Sequence, residues 1–211
     1  MNYDLLFQRI THELESNTIP GWCPQSKAME LASTVIALRP RVSLEIGVFG
    51  GKSLLPIAMA CEAVDCGVVI GVDPWQAAAS VAGYTGDNAT WWSRLDHEAI
   101  LSGFVANVAR LGLQNRVIIQ RATSDDAPRP AVIDLLHIDG QHTAQATKDV
   151  LKFASAVRVG GVVCLDDLQW RNDDVAHVAQ AADELQRLGF VELYRRSGPE
   201  GTWGFFQRVA P

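Results

Sequence analysis

Apolar residues recur at helical spacing over residues 3–15 and 26–38, and the stretch between them, NTIPGWCPQSK, is full of turn formers. This pattern predicts two helices. From residue 42 the period changes. VSLEIGV (42–48), VVIGVD (68–73), RVIIQRA (116–122), VIDLLHID (132–139) and VGGVVCLDD (159–167) are short, nearly continuous apolar runs. Runs of that kind read as strands buried on both faces. Helical spacing returns at 52–63, 92–112, 142–156 and 174–188, while 75–91 reads as a loop of small residues and aromatics. FVELYR (190–195) and TWGFFQR (202–208) flank SGPEG and read as a closing strand pair.

Strands alternating with helices predict an α/β fold: a doubly wound, Rossmann-like, mostly parallel seven-stranded sheet with a C-terminal antiparallel hairpin and helices on both faces. Two segments are expected, a helical N-terminal extension over 1–40 and the main domain over 41–211. The extension should pack on the sheet or on a neighbouring subunit, which leaves a homodimer open.

Composition narrows the partners. Of 211 residues, 48% are hydrophobic and 20% charged, enough for a sizeable core. The net charge of −6 argues against a nucleic acid held mainly by bulk charge. No apolar run approaches the roughly 18 residues of a membrane-spanning helix, so no membrane partner is expected. The start, MNYDLLFQRITHELE, lacks a secretory pattern. Cys23, Cys61, Cys66 and Cys164 are too sparse for a disulfide framework or a structural zinc site. A cytoplasmic protein with reduced thiols is expected.

Ligands of such sheets bind beyond the carboxyl ends of the strands. The first loop there runs from Glu45 to Ser53 as EIGVFGGKS. A Walker A loop needs four residues between its first glycine and Gly-Lys-Ser, and only three stand between Gly47 and Gly51. The dinucleotide fingerprint fails because Phe49 stands where its second glycine belongs. S-adenosylmethionine is a third candidate, beside a plain glycine-rich turn. Asp73, at the end of the second strand, can accept hydrogen bonds from both ribose hydroxyls of an adenosine, or can serve as a turn carboxylate ahead of Pro74.

The densest chemistry lies later, where residues 125–174 hold nine Asp against five Lys or Arg. Asp139 ends the fourth strand, and Asp166 and Asp167 end the fifth. Adjoining strands lie about 5 Å apart, so three carboxylates would converge. Such groups repel unless a cation joins them, and oxygen donors suit a hard ion such as Mg²⁺, Mn²⁺ or Ca²⁺. His142 is placed as a general base, whereas His137, inside a strand, reads as a core histidine. Trp75, Tyr84, Trp91, Trp92 and Trp170 suggest a lid or stacking platform, or simply the packing of a loop.

Over about residues 40–208, three blocks (EIGVFGGKS, GVDPW and IDLLHIDGQH…VRVGGVVCLDDL) resemble class I S-adenosylmethionine-dependent methyltransferases. The third block resembles the subgroup of macrolide-sugar O-methyltransferases and cephalosporin-hydroxylase-like proteins. It is similar, more distantly, to catechol and caffeoyl-CoA O-methyltransferases. The resemblance implies a divalent cation, Mg²⁺ by preference, on Asp139, Asp166 and Asp167. It implies cofactor contacts from Glu45, Gly47 and Gly51 at the methionine end and from Asp73 at the ribose. Thr123 and Ser124 would border the adenine, and Asp139 would also reach the cofactor. His142 and Asp139 would carry the catalysis. Ala144 departs from the pattern, because the subgroup often has an aromatic there. The expected reaction is methyl transfer to an oxygen of a small-molecule acceptor, a sugar-like or aromatic hydroxyl. A non-catalytic S-adenosylmethionine-binding protein and an NAD-dependent oxidoreductase on the same fold remain alternatives.

Overall fold

A computed structural model describes residues 3–210; Met1, Asn2 and Pro211, the outer ends of the two expected segments, lie outside the described residues. Five parallel strands form the centre of a single sheet: β1 (Val42–Ile46), β2 (Val68–Asp73), β3 (Val117–Arg121), β4 (Ile133–Ile138) and β5 (Val157–Leu165). The last two strands, β6 (Phe190–Gly198) and β7 (Gly201–Arg208), pair antiparallel, and β7 also runs antiparallel to β5. The order is β3-β2-β1-β4-β5-β7-β6. The expected seven-stranded sheet and closing hairpin are therefore present. The order reverses between β1 and β4, which puts the switch point, and the natural ligand crevice, above those two strands.

Strand alternation divides the core into two layers. Leu135, Cys164 and Phe205 face one layer, which also holds Leu6 and Ile10 of α1 (Tyr3–Glu15), Leu31 and Val35 of α2 (Gln25–Leu38), α3 (Leu54–Ala63) and Phe104. Leu136, Val163 and Phe206 face the other, with Val150 of α7 (Gln145–Phe153) and Leu185 of α8 (His177–Arg187). The N-terminal helices thus share a core with α3 on the sheet's first face rather than standing apart from it.

The chain between β2 and β3 departs from the expected loop. It forms two short helices, α4 (Ala77–Ser80) and α5 (Gly86–Ser93), neither with a buried residue. Without an apolar stripe no helical period was legible. The expected helix over 92–112 begins only at α6 (His97–Arg110), where the Asp96 side chain caps the start by accepting from the Ala99 N–H at 2.9 Å. The expected helix over 142–156 likewise starts late, at Gln145, and closes in a 3₁₀ turn over Ala154–Ala156. No helix among the described residues is long and apolar enough to cross a membrane. All four cysteines are free, and Cys23, Cys61 and Cys164 are buried.

Candidate active site

The parallel ladder continues one residue past the strands. Gly47 donates its N–H to Val72 O at 2.9 Å, Asp139 to Ile46 O at 2.9 Å and Asp166 to Ile138 O at 3.1 Å. Gly47, Asp139 and Asp166 therefore stand level on three neighbouring strand ends. The approach is close enough that only glycine fits at 47: a Cβ there would lie 2.2 Å from the Asp139 carbonyl oxygen, and φ is +86°.

Above this edge opens a cavity of about 820 Å³. Of the expected site residues, Gly47, Asp73, Thr123, Ser124, Asp139, His142, Asp166 and Asp167 line it. Glu45 and Gly51, expected at the methionine end of a cofactor, are not in the cavity's lining. Glu45 is fully buried beneath the floor, accepting from Ser53 Oγ at 2.9 Å and lying 2.9 Å from His137 Nδ1. Gly51 serves packing, since a Cβ there would meet the Phe104 ring at 2.5 Å.

Asp73 fixes the glycine turn. Its Oδ2 accepts from the Val48 and Phe49 N–H groups at 3.0 and 2.9 Å, and its Oδ1 accepts from the Trp75 N–H at 2.8 Å. Burial raises its carboxyl even against these three donors. A carboxylate has about four acceptor positions, so one remains on Oδ1 for a ligand. Trp75 locks the same turn by donating Nε1–H to Phe49 O at 2.8 Å. Phe49 and Trp75 both adopt left-handed backbone, at φ +51° and +41°, a strain tolerated where surrounding contacts fix the chain.

At the far wall Thr123 closes a turn, its Oγ1 donating to Asp126 Oδ2 at 2.8 Å. Gln145 Nε2 donates to Ser124 Oγ, Asp125 Oδ1 and Asp149 Oδ1. Asp149 also lines the cavity, and burial pushes its carboxyl up to about 6 from 3.8. The folded chain thus keeps a proton that the unfolded chain releases. The stability from this group is complete below about pH 4 and lost as pH rises through about 6, a cost of roughly 3 kcal/mol at neutral pH. Asp149→Asn should therefore raise the melting temperature at pH 7.5 and leave it nearly unchanged at pH 4. Equal shifts at both values would show that the carboxyl charge is not the cause.

The carboxylate cluster differs from expectation in its partners. Asp166 points to the first face of the sheet, where Lys27 of α2 makes a close ion pair with its Oδ2 and lies 3.2 Å from Asp139 Oδ2. Lys27 is fully buried. Burial would pull its ammonium down, but Asp139 and Asp166 override this and hold it well above its ordinary value. Burial and the Asp166 charge raise Asp139; burial also pushes Asp166 up, but Lys27, a hydrogen bond from Asp139 and the nearby His137 together lower it. Below them His137 is buried between Glu45 and Asp139, its Nε2 4.0 Å from Asp139 Oδ2. Burial would lower His137, but Glu45 outweighs it and raises the imidazole. Asp167, in left-handed backbone at φ +52°, turns the opposite way, its Oδ2 3.1 Å from His142 Nε2.

His142 stands three residues before α7. Its N–H donates to Tyr84 Oη at 2.8 Å, and its ring lies 5.3 Å from that of Trp170. Its Nε2, though near Asp167, is off the hydrogen-bond line and is buried with no hydrogen-bond partner among the described residues. Burial lowers the imidazole below its ordinary value against the pull of Asp167 and Asp166. The lowered imidazole is the neutral, proton-accepting form near pH 7.

Two trios of side chains come within reach of one ion: His137, Asp139 and Asp166, and Asp139, His142 and Asp167. The expected set of Asp139, Asp166 and Asp167 is not one of them. Lys27 occupies the first pair of carboxylates, and the neighbouring residues Asp166 and Asp167 diverge. The arrangement does not fit one divalent ion on those three residues.

Sequence reasoning missed Lys27, Asp149, Gln145 and Trp22. Lys27 had a signal: it lies four and eight residues before Leu31 and Val35, on the buried stripe of α2. A lysine on that stripe needs a buried anion. Trp22, 64% exposed, meets Phe49, Trp91 and Trp92 at ring distances of 5.2, 5.3 and 6.2 Å and builds an aromatic rim.

The site is thus a crevice at the switch point of an α/β sheet, with a glycine turn below and His142 opposite. A sequence profile described as a methyltransferase domain matches residues 44–168, and the chain belongs to that family. No curated protein matches. Among solved structures, the chain is similar to the O-methyltransferase TomG of Streptomyces achromogenes, in complex with S-adenosylmethionine (14% identity, TM-score 0.63, 97% of this chain and 90% of that one). It is similar to an O-methyltransferase of Bacillus cereus bound to S-adenosylhomocysteine (16%, 0.60, 98% and 90%). It is also similar to the O-methyltransferase NovP (20%, 0.66, 88% and 79%).

Proposed function

We propose that the chain transfers a methyl group from S-adenosylmethionine to a hydroxyl oxygen of a small-molecule acceptor, with His142 as general base. The observation that carries this is the His142 imidazole, lowered by burial and set 3.1 Å from Asp167 through its Nε2, in a residue that lines the same cavity as Gly47 and Asp73. Family membership and the ligands of the Bacillus and Streptomyces structures support the cofactor. The residues suit it: a glycine turn with no room for a side chain, a spare acceptor on Asp73, and the polar wall of Thr123 and Ser124. When bound, the cofactor supplies an electrophilic methyl group.

The chain's own residues do the rest. An acceptor hydroxyl donating to the His142 imidazole gives up its proton there, and Asp167, 3.1 Å from Nε2, stabilises the imidazolium formed. Tyr84 and Trp170 hold the histidine segment in place. The aromatic rim of Trp22, Trp91 and Trp92 suits an acceptor with a flat apolar face, such as a phenol or a sugar ring. Residues 41–211 act as the methyltransferase domain, with 1–40 as a helical extension that completes the rim through Trp22. No step is assigned to a divalent ion, because the expected ligands do not fit one.

The direct test is thermal stability with S-adenosylmethionine, S-adenosylhomocysteine, NAD and ATP. The first two should raise the melting temperature, by an amount that grows with ligand concentration, and the last two should not. No shift with either of the first two would remove the reading, and a shift with NAD would favour the oxidoreductase.

A further inference from the structure

We propose that Lys27 is the resident cation of the carboxylate cluster, standing between Asp139 and Asp166 where an ion would otherwise sit, so that the protein works without a divalent metal. The role in methyl transfer rests on the reading above; the occupancy of the cluster by lysine does not.

Three observations carry it. The ammonium reaches both carboxylates, Asp139 Oδ2 at 3.2 Å and Asp166 Oδ2 in a close ion pair. Lys27 is fully buried near the start of α2, whose next turns, Leu31 and Val35, are equally buried, so the side chain is walled in rather than swinging from the surface. And Asp166 and Asp167, neighbours in sequence, are committed to opposite partners, Lys27 and His142.

Charge makes the two occupants exclusive. One ammonium between the two carboxyl groups leaves at most one formal negative charge. A divalent ion added beside it would leave at least one positive charge at the pair and would set two cations side by side, one of them the fully buried Lys27, which a largely buried site penalises. An ion bound at about 2.1 Å would also need the oxygen lone pairs that Lys27 holds. Without the lysine, the same ion would neutralise the pair. The remaining trio, Asp139, His142 and Asp167, could take an ion only by using a nitrogen of His142.

Lys27 is thus a positioning residue. It lines no part of the cavity, but it fixes the direction of Asp139 and Asp166, which do. It also ties the N-terminal helices to the site.

The test is a calorimetric titration with MnCl₂ of the full chain saturated with S-adenosylhomocysteine, on wild type, Lys27→Met and Lys27→Gln. Metal content of the purified wild type is measured alongside by mass spectrometry. Wild type should hold no stoichiometric divalent metal and bind Mn²⁺ no better than an exposed carboxylate. Each variant should bind one Mn²⁺ at least about tenfold tighter than wild type. Stoichiometric Mn²⁺ on wild type would overturn the proposal. So would variants that still bind S-adenosylhomocysteine but gain no Mn²⁺ site. If both variants fail to fold, the wild-type titration decides alone in the same two directions. Loss of S-adenosylhomocysteine binding by wild type would instead overturn the methyl-transfer reading, and the Mn²⁺ titration of the free chain would still judge the lysine.

Discussion

Replacing His142 with alanine is expected to lower turnover by about 10²–10⁴-fold, the usual contribution of a well-placed general base. The assay is methyl transfer to an acceptor found by screening phenolic and sugar hydroxyls. The loss should fall on turnover, because His142 faces the acceptor side of the cavity while Gly47 and Asp73 hold the other. The thermal shift with S-adenosylhomocysteine should therefore survive the substitution. The pH profile gives a sharper check. Burial lowers the His142 imidazole, so the wild-type rate should be flat at neutral pH and decline only below the ordinary histidine value of 6.5. The sign follows from the neutral form being the active one: protonation removes the acceptor of the proton. The alanine variant should lose that acid limb along with the rate. Asp167→Asn should reduce turnover less, because it removes the stabilisation of the imidazolium and leaves the base. A near-wild-type rate in His142→Ala would take the residue out of the mechanism.

How far the sequence could be read depended on whether a residue's role was local. The strands β1, β2, β4 and β5 announce themselves because both their faces are buried, and the level placement of Gly47, Asp139 and Asp166 follows from parallel pairing alone. Asp73, the last residue of β2, and His142, four residues past β4, were legible because each lies at a strand's carboxyl end. α4 and α5 were not, because they bury nothing and carry no period. The partner of Asp139 and Asp166 is a long-range fact: the cation that meets them comes from residue 27, more than a hundred positions upstream of Asp139. Spacing along β4 and β5 holds no trace of it, although the misplaced charge on the buried stripe of α2 does. Glu45 and Gly51 sat in a motif that suggested ligand contact, but strand alternation turns Glu45 under the sheet, toward His137 in the neighbouring strand, and the turn directs Gly51 to Phe104.

Trp75 shows the same limit and supports the largest stability prediction. By sequence it is one of five aromatics that could form a lid. In the fold it is only 2% exposed, stacks on Phe104 at 5.8 Å and 20°, and donates to the Phe49 carbonyl, whereas Trp22 and Trp91 are 64% and 42% exposed. Trp75→Ala removes a large buried ring and the donor that closes the glycine turn. It should cost about 3–5 kcal/mol. For a chain of this size that is a fall in melting temperature of roughly 6–20 °C. Trp91→Ala, at the rim, should cost about 1 kcal/mol or less. The two should also differ in function. Without Trp75 the Phe49 carbonyl loses its partner and the turn that Asp73 holds through Val48 and Phe49 loosens, so S-adenosylhomocysteine should bind more weakly. Trp91→Ala should leave that affinity alone and act on the acceptor. Equal melting temperatures for the two variants would mean that Trp75 is no anchor of the fold, and the turn beneath the cavity would then need another explanation for its rigidity.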